Sequence, residues 1–470
     1  MKKIIKNILY SLIIGLNITL NSCNGYLDDV PKGQKIPETL ADFEALLRNE
    51  YNCHRVDITQ ANLLLNDRYP SSSNLNYYPL WKANYMWDEA ADRVKLNNSD
   101  ETTYYASYAS ISTCNLIIEH APTATNTTEN ERNTLIAQAR VLRAMNYFNL
   151  VNYYADTYEA TTAATKLAVP VISSADINAP SKQVTIKELY DYILKELSES
   201  VPNLPEKPAT ILHPGLATAY AFYARVYLQM SDYTNALKYA EEALKLNNKL
   251  YDWVAYYESN KSQILNPISY TATSSPYNYT YVENYNYRHG SSNNASTETN
   301  IPVSRAERFE DGDARFAARW KVRTVGTDTY YAGTTNGYFN YGGLTTTEMY
   351  LIKAECLARK NDLTGSMDAL NAVRKTRILP AKYQDLTATS ITDAVKKIWR
   401  TKENELIFSI VPFADARRLN LDSNYARTFT KTVNGTTYTL SPTSHLWTMP
   451  FPMGAISNPG NGTITQNVDK

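Results

Sequence analysis

The sequence predicts a mainly α-helical protein, and three observations carry that prediction. Residues 129–154 form a long stretch with apolar residues at helical spacing and neither Gly nor Pro. Two segments 130 positions apart repeat one size pattern: Ala224, Tyr227, Tyr233, Ala236 and Ala243, then Ala354, Leu357, Leu363, Ser366 and Val373. That spacing is tetratricopeptide-like, the signature of helical hairpins that bury their apolar faces only by stacking. Strand-like alternation is concentrated in one Tyr-rich region between the two hairpins.

The first residues read as a targeting leader, not as structure. Lys2, Lys3 and Lys6 form a basic start, and residues 8–20 form an apolar run too short to span a bilayer comfortably. Leu20-Asn21-Ser22-Cys23 then reads as a lipoprotein cleavage site. Removal of residues 1–22 leaves Cys23 as the lipidated first residue, and several acyl chains together hold a protein firmly on a membrane. Asp28 and Asp29 resemble the acidic surface-export signal of Bacteroidetes lipoproteins.

Helix-forming segments follow in order. Residues 39–49 place Leu40, Phe43, Leu46 and Leu47 on one face, and residues 103–120 do the same with Tyr104, Tyr108, Ile111, Asn115 and Ile118. Residues 57–87 are less regular. A helix is expected over 180–201, with Thr185 as a plausible N-cap, Glu188 completing a capping box, and Pro202 and Pro205 as stops. The hairpins cover 213–247 and its counterpart 130 places on. A late helix is expected over 391–410, broken at Pro412, and residues 443–470 are an ordered loop or tail. In the middle region, Tyr277, Tyr279, Tyr281, Tyr285 and Tyr287 would share one face of an extended strand, and Asn336-Gly337 signals a hairpin turn.

Composition removes several function classes. Lys plus Arg equals Asp plus Glu at 47 each, with no basic stripe, which argues against nucleic-acid binding. Cys53, Cys114 and Cys356 form no C-x-x-C pair, and their odd number leaves at least one free thiol. The five histidines are scattered, so no metal site is expected. No phosphate loop, nucleophile elbow or cofactor motif is present, and no enzyme is expected. Glu403/Glu405 and Asp311/Asp313 invite a two-carboxylate reading, but residues two apart on a helix point about 200° apart. They read instead as solvated acids. Arg140, Arg143, Arg225 and Arg374 read as partners in ion pairs between stacked helices.

The residues suited to binding are aromatics outside the regular helices, out of 38 tyrosines in all. One cluster holds Tyr77, Tyr78, Trp81, Tyr85 and Trp87. The other holds Tyr277, Tyr279, Tyr281, Tyr285 and Tyr287 with Arg288. A flat ring stacks on the C–H face of a sugar while Asn and Arg bond its hydroxyls. The competing reading is that these rings pack onto the helical body.

Several segments together resemble the SusD/RagB-like nutrient-binding outer-membrane lipoproteins. They are Ser22-Cys23 with Tyr26-Leu27-Asp28; Ala137-Gln138-Ala139-Arg140-Val141-Leu142-Arg143-Ala144; Val169-Pro170; Ala224-Arg225-Val226-Tyr227-Leu228; and Asp313-Ala314-Arg315. Glu348 to Glu355, Asp415-Ala416-Arg417-Arg418, Pro450-Phe451-Pro452 and Gln466-Asn467 continue the series. The stretch Phe408 to Pro412 departs from the Glu-Gly usual there. The resemblance implies one mature domain over 23–470. Its helical scaffold occupies 39–250 and 344–420, an irregular ligand-side insertion 251–343, and a tail 443–470. It implies a SusC-like TonB-dependent barrel as partner, a glycan or other oligomeric nutrient as ligand, no cofactor, and ligand contacts in the two aromatic clusters. The alternatives are a structural lid with little affinity, a peptide-binding member, and a hydrolase on a helical scaffold.

Overall fold

The computed structural model describes residues 37–54, 56–97, 102–266, 275–289, 299–335, 339–433 and 435–467. The leader, Cys23, Asp28, Asp29 and the Asn336-Gly337 turn lie outside them. The described elements run in chain order as follows: α1 (Leu40–Arg48), α2 (Thr59–Leu64), α3 (Ser72–Tyr77), α4 (Pro79–Met86), α5 (Arg93–Leu96), α6 (Thr102–His120), α7 (Glu129–Tyr154), β1 (Leu167–Val171), β2 (Pro180–Thr185) and α8 (Ile186–Ser200). There follow α9 (Leu216–Gln229), α10 (Tyr233–Leu246), α11 (Trp253–Ile264), β3 (Asn284–Asn286), β4 (Ile301–Pro302), α12 (Val303–Ala306), α13 (Ala314–Arg319), β5 (Trp320–Val325), β6 (Asp328–Gly333) and β7 (Leu344–Thr345). The chain closes with α14 (Thr346–Arg359), α15 (Leu363–Lys375), α16 (Ile391–Glu405), α17 (Ile410–Asn420), β8 (Phe429–Val433), β9 (Thr436–Leu440), α18 (Met453–Ser457) and β10 (Asn461–Thr463). The predicted mainly α fold is the observed one.

The repeat seen in the sequence is a repeat of structure. The pairs α9/α10 and α14/α15 begin at Leu216/Tyr233 and Thr346/Leu363, the same 130 places apart. Each pair turns on a non-glycine residue of positive φ, Ser231 (60°) or Asn361 (64°). Each second helix is capped by an aspartate, Asp232 or Asp362. The small residues Ala224, Ala236, Ala354 and Ser366 are fully buried, so the helices lie close together. Helices α6, α7 and α8 pack in sequence, and α10 packs on α14, giving one main core.

Three expected elements differ in detail. The helix predicted from Pro180 begins only at Ile186, because residues 180–185 pair with β1. Thr185 is the N-cap and shares a capping box with Glu188, as the sequence indicated. Thr185→Ala should therefore cost about 1 kcal/mol of stability, measurable by urea unfolding, without altering the fold. The late helix breaks before Pro412, at Leu406–Ser409, where Phe408 takes φ 70°. Pro412 sits in the first turn of α17, where its missing N–H leaves no bond unmade. The insertion 251–343 is not irregular throughout: α11 buries Trp253, Tyr257 and Ile264, and β4–β6–β5 forms a sheet. Residues 57–87 contain three short helices.

The C-terminal tail is ordered by pairing: β10 lies parallel to β2, with Asn461 opposite Pro180. Gly462 is required there, since a Cβ would strike the Ser181 carbonyl.

Buried charges tie the middle region to the helices. Arg377 bonds Glu283 and Glu405, and Arg315 bonds Glu405 and Asp313, all with nearly inaccessible side chains. Glu403 pairs with Arg427. The expectation of solvated acids is thus corrected for Glu403, Glu405 and Asp313, and holds for Asp311, which pairs with Lys382 at the surface. The two helical glutamates do have different partners, as their angular separation requires. The inter-helix ion pairs expected for arginine are present at Arg143–Glu196 (2.6 Å), Arg225–Glu348 (2.7 Å) and Arg140 with Glu196, whereas Arg374 pairs with Glu310 of the loop between α12 and α13. Cys53, Cys114 and Cys356 are all free thiols and all buried. Among the described residues no group of His, Cys, Asp and Glu could hold a metal, and no helix is long and apolar enough to cross a membrane.

A candidate functional site at an aromatic ledge

The first aromatic cluster is built by a proline. A residue before proline is disfavoured in the α conformation, so Tyr78 (φ −114°, ψ 89°) ends α3. Pro79 then starts α4, where its fixed φ suits the first helical position. Ser71 caps α3 by accepting from the Asn74 N–H at 3.1 Å. The abrupt junction sets three rings side by side. Tyr77 and Tyr78 meet edge-on at 4.7 Å, and Tyr78 stacks on Trp81 at 4.6 Å with 25° between planes. Tyr77 is 76% exposed and Tyr78 42%, with Trp81 half-buried beneath them. The Arg68 guanidinium lies 4.9 Å from the centre of the Trp81 ring. Such contacts hold the indole in place.

Residues distant in sequence support this ledge. Tyr69 stacks on Tyr330 of β6 at 4.5 Å and 8°, and Ser72 Oγ donates to Asp328 at 2.9 Å. The β5–β6 hairpin is thereby docked against α3. Burial, with Asp328 alongside, pushes the Tyr69 hydroxyl well above its ordinary pKa, so it stays a neutral donor. Neither Tyr69 nor Tyr330 was indicated by the sequence, because no local spacing links positions so far apart. Arg68 could have been noticed beside the first cluster, but an isolated Arg carries no signal.

Trp87 does not join the ledge. It is 5% exposed, takes the left-handed conformation at the end of α4 (φ 54°), and donates Nε1 to the Leu64 carbonyl at 2.7 Å. Six helical residues after Trp81 correspond to about 240° of rotation, so its side chain faces the interior. Tyr85 is buried with it, and Lys431 Nζ sits 3.8 Å from the Tyr85 ring and 4.6 Å from that of Trp87.

The second cluster is largely interior, with Tyr281, Tyr285, Tyr287 and Arg288 buried and Tyr277 and Tyr279 half-buried, which corrects the expected strand face. Only residues 284–286 form strand, and Tyr285, Tyr287 and Arg288 are 4%, 0% and 0% exposed. Tyr285 donates to the Asn247 carbonyl at 2.7 Å. Tyr279 donates to Glu50 at 2.6 Å and lies 4.4 Å from the Tyr287 ring. Tyr277 packs on Trp253 at 4.9 Å, and Tyr281 is buried nearby. Arg288 Nη2 donates to Asn146 at 2.7 Å, and burial brings its pKa down to about 10. These rings and the arginine fasten the middle region to α7 and α10. Their burial leaves Tyr285, Tyr287 and Arg288 no face for a ligand.

The comparisons agree with this architecture. Residues 25–228 match the family model described as SusD-like, starch-binding associating with outer membrane. SusD-like protein P2 of Formosa agariphila is 34% identical over 143 residues, covering 30% of this chain and 26% of that protein, so the match spans about a quarter of the relative's length. A SusD superfamily protein from Bacteroides thetaiotaomicron superposes with a TM-score of 0.67 at 17% identity, over 92% of this chain and 100% of that one. A SusD-like carbohydrate binding protein from Bacteroides vulgatus gives 0.63 at 18%, over 90% and 97%. A surface glycan-binding protein A from Bacteroides uniformis gives 0.64 at 17%, over 91% and 98%. Over residues 25–228 the sequence is similar to the SusD-like family, and nearly the whole length of the chain shares the fold of SusD superfamily structures.

Proposed function

We propose that this protein is a cell-surface lipoprotein, anchored in the outer membrane through Cys23, that captures an oligosaccharide and passes it to a SusC-like TonB-dependent barrel. The observation that carries the reading is the exposed run of Tyr77, Tyr78 and Trp81 at the α3–α4 corner. Three rings in contact, partly open to solvent, offer a platform for successive sugar rings, and Arg68 and Asp328 supply polar groups beside it. The family description and the names of the structural neighbours, which concern starch, carbohydrate and glycan, support a saccharide over a peptide. Binding rather than catalysis follows the family. The Glu403/Glu405 pair that invited a glycosidase reading is engaged in buried ion pairs.

Calorimetry of the mature protein against an oligosaccharide and peptide panel tests this. Trp81→Ala should weaken saturable glycan binding at least about tenfold, as loss of a central aromatic anchor does. Trp87→Ala should leave affinity unchanged in whatever fraction folds while costing roughly 3–5 kcal/mol of stability. Equal binding by Trp81→Ala would remove the ledge from the site. Absence of binding across the panel would favour a lid subunit for the transporter.

A further inference from the structure

Beneath the middle region lies a cavity of about 40 Å³, and two of its lining side chains each carry an inaccessible donor atom with no acceptor, Nε of Arg319 and the hydroxyl of Tyr277. Arg319 is 4% exposed. Its guanidinium is held face-on among Trp320 (4.3 Å), Tyr277 (5.0 Å) and Phe339 (5.6 Å). Its Nε bonds to nothing, and no carboxylate among the described residues lies within ion-pair distance. The Tyr277 hydroxyl is likewise inaccessible and unpartnered.

The acceptors around the same cavity are already used. Glu405 takes bonds from Arg315 and Arg377, and Glu283 from Arg377, Thr347 and the Tyr251 N–H. Asn284 Oδ1 accepts from Asn340, and Asn340 Oδ1 from the N–H groups of Arg288 and Gly343. The site therefore asks for acceptors and offers few. A water molecule satisfies a donor but brings protons of its own that then need partners. An anion brings none. Arg225, Arg315 and Arg377 are ion-paired with Glu348, Asp313, Glu405 and Glu283, whereas Arg319 has no such pair among the described residues. Burial holds the Tyr277 hydroxyl up at about 12, so it remains a donor throughout the neutral range.

We propose that this cavity binds a single small monovalent anion of halide size, held by Arg319 with Tyr277, as a structural ligand that fastens the middle region to the helical body. The volume exceeds the roughly 10–15 Å³ needed for one water-sized body and falls far short of a sugar ring. The site is separate from the aromatic ledge and does not rest on the carbohydrate reading.

The test compares thermal unfolding of the mature protein in sodium chloride or bromide with sodium gluconate at equal ionic strength, beside ³⁵Cl NMR linewidths. Chloride should raise Tm saturably above the gluconate baseline, with bromide competing for the broadened ³⁵Cl signal. Tyr277→Phe should raise the half-saturating chloride concentration about tenfold, the loss of one hydrogen bond to a charged group. Arg319→Gln should abolish saturation. If Arg319→Gln does not fold, Tyr277→Phe alone decides the matter. Identical Tm in chloride and gluconate would overturn the proposal and leave water in the cavity. So would a saturable effect unchanged by Tyr277→Phe.

Discussion

Glu405→Ala is expected to destabilise the protein by roughly 3–5 kcal/mol, the usual cost of removing one partner from a buried ion pair. The carboxylate is held by Arg315 and by both Nε and Nη2 of Arg377, at 3.2 and 2.8 Å for the latter. Its side chain and those of both arginines are no more than 3% exposed. Without it, two guanidiniums remain buried, and Asp313 and Glu283 can each satisfy only one of them. The same network joins α13, the Glu283 segment and α16, so its failure should loosen the middle region first. Guanidinium unfolding read by tryptophan fluorescence gives the measurement, with hydrogen exchange of residues 281–289 and 314–325 as the local readout. A loss below about 1 kcal/mol would mean that the arginines find other partners at little cost.

Mild acid should be nearly as costly. His54 is fully buried; its Nε2 donates to the Leu47 carbonyl at 2.8 Å, and its Nδ1 has no partner. Burial, reinforced by the Arg288 charge, depresses its pKa from 6.5 to about 3. Between those values the unfolded chain binds a proton that the folded one refuses, so stability falls as pH falls. Each pH unit costs up to about 1.4 kcal/mol, or roughly 4 kcal/mol across the interval. Glu355 acts next. Burial alone would raise its pKa, but Arg418, bonded at 2.7 and 2.9 Å, holds it at about 2. Its contribution is complete above pH 4.5 and disappears as pH approaches 2. Denaturant unfolding from pH 7.5 to 4 should show the decline, and His54→Gln should flatten the part between 6.5 and 4.5. An unchanged slope in that variant would assign the acid sensitivity to other groups.

The aromatic residues show where sequence reading reaches and where it stops. Pro79 sets the α3–α4 junction, since proline restricts the residue before it wherever it occurs, but the two short helices it separates were not expected in the irregular stretch 57–87. That corner sets Tyr77 and Tyr78 side by side, and their exposure is decided by what the rest of the chain leaves uncovered. Nothing local distinguishes Trp81 from Trp87, both tryptophans in one Tyr-rich stretch. The difference is a rotation about α4 and the presence of Leu64 and Lys431 on one side only. The odd-numbered tyrosines of 277–287 look like a strand face, yet the chain turns between them. Period-two spacing fixes a face only while the backbone stays extended.

The sequence by itself determined the long helices, the Thr185 cap and the 130-residue duplication, because these depend on neighbours within a few residues or on a repeated size pattern. Only the tertiary structure decided which aromatics face water, which acids are buried, and how Tyr330 and Asp328 come to stand beside Tyr69 and Ser72. Burial and charge pairing are properties of the space around a side chain, and contacts across some 250 residues of chain leave no periodicity to read.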